Sequence, residues 1–190
     1  VAVLIAGLII FFASHSISII NDAWRHRVAA RIGEGPWKGA YSIMSIIGVV
    51  LIIWGYGIAR QTPEILYQLP HWLRHVAMVL MVPVFPLLLA AYLPGRIKTA
   101  TKHPMLVGVK LWALAHLLVN GTSADVLLFG SFLAWAVIDR ISLNLRAPLP
   151  TPSAAPGKHN DIIAIVGGLV LYFAFVFGLH NWLIGVAPLG

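Results

Sequence analysis

The chain is 190 residues long, 59% hydrophobic and only 10% charged, against about 25% charged residues in an average soluble domain. That composition excludes a water-soluble globule and leaves a polytopic membrane protein. The formal charge of +7 is scattered between apolar runs and forms no basic stripe, which excludes nucleic acid as a partner, and the lack of cysteine excludes disulfides, thiolate ligands, iron–sulfur clusters and covalent haem attachment.

Apolar runs read against their breakers predict an all-α bundle of about six transmembrane helices, near 1 to 20, 40 to 59, 73 to 93, 104 to 119, 124 to 140 and 161 to 186. The first run lacks a basic leader and a clear cleavage site, so it is expected to be a true span. Pro83 and Pro86 are expected to kink the third helix. Pro104 suits the first turn of the fourth, Asn120-Gly121 its end, and Ser123 is expected to cap the fifth. Residues 146 to 158, with prolines at 148, 150, 152 and 156, read as an extended linker within one domain spanning 1 to 190. Asp139 beside Arg140 reads as a boundary charge pair.

Basic residues give the orientation. Arg25, Arg27, Arg31, Lys38, Arg96, Lys98, Lys102, Arg140, Arg146 and Lys158 fall in the connections after helices one, three and five, and only Arg60 and Arg74 fall on the opposite side. Because basic loops stay cytoplasmic, both termini are expected on the periplasmic side.

With cysteine absent, the eight histidines are the strongest metal ligands available. His26, His71 and His159 lie in connections and read as headgroup-facing. His103 stands at the cytoplasmic end of helix four as a cap or boundary residue. His75 and His180 lie near the outer ends of helices three and six and are expected to meet across the bundle, as hydrogen-bonding partners before metal ligands. His15 and His116 lie inside apolar runs, where a polar side chain costs free energy unless it is satisfied. His15 is about ten residues from Arg25 and His116 about fourteen from Lys102, so helical rise puts them roughly 15 and 20 Å from the same membrane face. Two imidazoles at matching depth can supply both axial ligands of a haem iron. The alternative is that each bonds a backbone carbonyl or a neighbouring serine. Trp112 and Ala113 lie within a turn of His116, and Arg25 and Arg27 are the expected partners of haem propionates.

The run Lys102-His103-Pro104-Met105-Leu106-Val107-Gly108-Val109-Lys110-Leu111-Trp112-Ala113-Leu114-Ala115-His116, then Asn120-Gly121 and Leu127 to Trp135, resembles the NnrU family. His15-Ser16, Tyr92 to Lys98 and His180-Asn181-Trp182-Leu183 resemble it too. The resemblance implies a bacterial inner-membrane protein associated with nitrite and nitric oxide reductases in denitrifiers. A distant branch, 15-cis-zeta-carotene isomerase, is a haem b enzyme whose ligand histidines match His15 and His116. That branch carries a cysteine, tied to ligand exchange, where this chain has Ala113, so isomerisation by the same exchange is not implied.

Two functions compete. One is a haem b protein doing redox or isomerase chemistry on a lipid-soluble substrate or a small gas. The other is a non-catalytic small subunit or assembly factor of a larger respiratory or photosynthetic complex, anchored by interfacial tryptophans such as Trp54, Trp135 and Trp182.

Overall fold

A computed structural model describes residues 1–147, 149 and 152–189. Its elements are helices: α1 (Ala2–His15), α2 (Ile17–Ile32), α3 (Glu34–Ala59), α4 (Leu73–Met81), α5 (Val84–Tyr92), α6 (Arg96–Thr101), α7 (Pro104–Leu117), α8 (Ser123–Asp125), α9 (Ser131–Ser142), α10 (Asn160–Ala174) and α11 (His180–Ile184). Wider π-helical turns join α8 to α9 at Val126–Gly130 and α10 to α11 at Phe175–Leu179. Among the described residues, three segments are long and apolar enough to cross a membrane: Glu34–Ala59, Leu73–Tyr92 and Asn160–Ile184. A fourth joins them if α1 and α2, bent by 50°, form one span. By length and apolarity the described residues thus hold three or four candidate spans of a multi-pass membrane protein, where six helices were expected. The remaining two expected helices exist as the 14-residue α7 and the π-interrupted α8–α9 segment.

The chain divides into two compact units, Val1–Leu69 with Asn120–Pro148, and Pro70–Val119 with Leu149–Gly190. The first is organised by α1 against α3. Gly55 meets Leu4, Gly7 meets Ile52 and Gly48 meets Phe11, so residue numbers fall along α3 as they rise along α1 and the helices are antiparallel. A Cβ on Gly7 would stand 2.6 Å from the Ile52 nitrogen, and one on Gly48 would stand 2.9 Å from the Phe11 Cα. Glycine is required because the backbones touch, which gives apolar helices their dispersion contact when lipid offers no hydrophobic drive. The opposite stripe of α3, with Ile43, Ile46, Val50, Ile53 and Trp54, is exposed as lipid-facing residues are. Gly33, at φ 94°, makes the turn from α2 into α3.

The α8 start corrects one expected cap. Thr122, not Ser123, occupies the N-cap, and its hydroxyl and the Asp125 carboxylate form a reciprocal capping box. Asp125 is buried, and its second oxygen accepts from Tyr56 Oη at 2.6 Å. Asp139 also differs from expectation: its partner is Arg146, while Arg140 donates to Asn144 at 2.7 Å. Adjacent helical residues point apart, whereas the turn after α9 brings Arg146 back over the buried carboxylate.

In the second unit the prolines act as expected. The helix breaks between α4 and α5, and the Val82 N–H bonds Val79 O at 3.2 Å, so Met78 O loses its usual helical donor. Tyr172 Oη of α10 donates to it at 3.1 Å, which is how a broken helix is tolerated in a membrane. Gly168 of α10 packs directly on Pro86. The start of α6 is held by Asp161, which accepts from the Arg96 and Ile97 N–H groups at 2.8 and 3.1 Å. Of the linker prolines, Pro152 and Pro156 lie in a stretch without regular structure, as expected, and Pro148 and Pro150 lie outside the described residues.

Candidate functional site

His15 is the last residue of α1, at the bend, and half-buried. Its Nδ1 lies 2.8 Å from Phe11 O, one turn back. A carbonyl only accepts, so Nδ1 carries the proton and Nε2 holds the lone pair. The ring stacks on Phe11 with centroids 3.9 Å apart, and Tyr41 and Trp135 stand at 5.1 and 5.9 Å. The Trp135 indole N–H is buried with no hydrogen-bond partner among the described residues. A buried donor without an acceptor on the wall of a histidine cage is a costly arrangement that a bound polar group relieves.

In the second unit, His116 repeats the local geometry of His15. It sits in the last turn of α7, and its Nδ1 lies 2.8 Å from Trp112 O, again four residues back. An aromatic ring accompanies the carbonyl here as well, with the Trp112 centroid 5.3 Å away. Ala113 and Gly108, both buried, keep this part of α7 slim. The two expected ligands thus share a tautomer, each fixed by a backbone acceptor. Imidazoles that ligate metals are usually oriented in this way by a bond from the other ring nitrogen.

His180 does not meet His75. Its ring lies 6.4 Å from that of His116 at an interplanar angle of 26°, and its Nδ1 is 2.7 Å from Val186 O. His75 instead has Nδ1 3.3 Å from Trp72 O. The sequence placed both residues near one membrane face but could not give the rotation of α11, which the π turn before it resets. His103 holds the N-cap position of α7 without a side-chain capping bond. A residue preceding proline is kept out of helical geometry, and His103 accordingly has φ −132° and ψ 68°. Arg25 is engaged by Glu34 at 3.3 Å and Arg27 is exposed.

Several functional candidates were not anticipated. Phe11 could have been found by its four-residue spacing from His15. Tyr41 and Trp135 belong to other helices, and no local signal marks them. Among the described residues no three histidine or carboxylate side chains converge to hold a metal ion.

The sequence profile of the NnrU protein family matches residues 3–188. The chain belongs to the NnrU family. No curated protein and no solved structure matches it. For an NnrU protein the donor set fits haem, whose macrocycle supplies four nitrogens and asks only one or two axial ligands of the protein. Single imidazoles with a fixed tautomer, set among flat aromatic and small side chains, are what this chain presents.

Proposed function

We propose that this NnrU protein is an integral haem b protein of a bacterial inner membrane, with His15 and His116 as axial ligands. The observation that carries this reading is the shared Nδ1-to-carbonyl bond, 2.8 Å in both cases, which leaves Nε2 as the ligating atom. When bound, haem b supplies a redox-active iron whose reactivity toward a gas or a polyene depends on its axial ligands and surroundings. Phe11, Tyr41 and Trp135 stand around His15, and Trp112 stands beside His116. Of the two expected propionate partners, Arg25 is engaged by Glu34 and Arg27 is exposed. The fully buried Ala113 has no sulfur, so a cysteine-based ligand exchange would not be available at this position.

The same proposal takes the chain as one domain with six crossings and both termini periplasmic. Ten basic residues in one set of connections against two in the other support the orientation. Its substrate class is a lipid-soluble molecule or a small gas such as nitric oxide, reached through the apolar surface, in denitrification or carotenoid metabolism. A second arrangement is favoured by the 6.4 Å between the rings of His116 and His180. His180 would then take the place of His15.

An oxidised-minus-reduced absorption spectrum of detergent-purified protein and its His15→Ala and His116→Ala variants tests the proposal. A low-spin b-type spectrum, altered or lost in both variants, supports it. A folded, colourless protein that takes up no added haem contradicts it and favours the non-catalytic subunit, whose partner would be sought by affinity capture.

A further inference from the structure

The helical segment that follows Asn21 carries a surface distinct from His15 and His116. Asn21 leaves helical geometry at φ −152° and ψ 81°, and its Oδ1 accepts from the Trp24 N–H at 2.9 Å, so residues 22–32 start a new run. That run is pinned to α3. Arg25 donates to both carboxylate oxygens of Glu34 at 3.3 Å, and its guanidinium carbon lies 5.8 Å from the centroid of the Trp37 ring. Glu34 is the first residue of a candidate span, which puts the pinned helix at the level of the lipid headgroups.

Pinning turns Ala29 and most of Arg25 inward. It leaves Trp24, Arg27 and Arg31, spaced by three and four residues, on one exposed face. Of the nearby acids, Asp22 meets His26 through Oδ2 at 3.2 Å, with Oδ1 buried and without a hydrogen-bond partner among the described residues, and Glu34 meets Arg25 and, at 3.9 Å, Lys38. Arg27 and Arg31 form no ion pair among the described residues.

We propose that the Trp24, Arg27 and Arg31 face binds the headgroup of an anionic phospholipid, with the indole at the boundary between headgroup and acyl chain. Two guanidinium forks on one helix face can each offer paired N–H donors to phosphate oxygens. A zwitterionic headgroup brings its own ammonium and competes with them, so the preference is for net negative lipid. Tryptophan suits this depth because its ring is apolar and its N–H is polar.

The test is thermal unfolding of the full chain in neutral detergent micelles doped with either phosphatidylglycerol or phosphatidylcholine. Phosphatidylglycerol is expected to raise the midpoint by about 4 °C more than phosphatidylcholine does. An Arg27→Gln/Arg31→Gln variant is expected to lose that increment, and Lys158→Gln, at another exposed site, to keep it. Equal shifts from the two lipids, survival of the increment in the double variant, or its reproduction by inorganic phosphate in phosphatidylcholine micelles would each overturn the proposal.

Discussion

The imidazole of His180 lies 6.4 Å from that of His116, both in the same compact unit, with each Nδ1 bonded to a backbone carbonyl. The contact separates two assignments of the second axial ligand. With His15 as that ligand, His180→Ala keeps the low-spin spectrum and shifts the reduction midpoint, because a polar neighbour of His116 has gone. If His180→Ala loses the low-spin spectrum while His15→Ala keeps it, the second ligand is His180. Absorption spectroscopy with redox titration distinguishes the two.

Thr122 and not Ser123 is the cap of α8, and the two substitutions should differ accordingly. Thr122→Ala is expected to destabilise the protein by about 1 kcal/mol, and Ser123→Ala to have little effect. Tyr56→Phe removes a 2.6 Å bond to the buried Asp125, and the loss is expected to be about 1.5–3 kcal/mol. Unfolding in mixed micelles, followed by circular dichroism, measures all three.

Glycines on α3 and α1 give a direct test of close helix packing. Gly7→Ala forces a methyl against the Ile52 backbone at 2.6 Å, and separating two packed helices is expected to cost about 1–3 kcal/mol. Gly57→Ala faces open space within 4 Å and should be neutral or slightly stabilising. Unfolding midpoints of the pair, compared in one detergent, check the register.

How much of this was legible in the sequence depends on the range of the interaction. The apolar segments and the break at Pro83 were readable because each is set within one or two helical turns. The 14-residue α7 was recognised from Pro104, yet its length leaves it short of a full span by the same criterion that identifies α3. The histidines were singled out as polar groups in apolar surroundings, and the expected alternative, a bond to a backbone carbonyl, is what the structure shows for both. The two readings are compatible, since the carbonyl engages one ring nitrogen and leaves the other. What was not legible is rotation. Neither the pairing of His180 with His116, nor Trp135 beside His15, nor Arg146 over Asp139 follows from spacing along one helix. The two π turns shift the helical phase within single apolar runs, so periodicity could not carry across them.

The Asp139 correction is itself testable. Arg146→Gln strips the buried Asp139 carboxylate of its cation and is expected to cost about 3 kcal/mol. Arg140→Gln leaves that pair intact, loses only an exposed bond to Asn144 and is expected to cost well under 1 kcal/mol. Thermal unfolding of the two variants side by side shows which arginine holds Asp139.

The most direct test of the central claim is the haem content of the purified chain, measured by the pyridine haemochrome spectrum against protein concentration. The account predicts one haem b per chain, falling severalfold in His116→Ala while the helical circular dichroism is unchanged. A folded protein with no haem, before and after incubation with haemin, would contradict it.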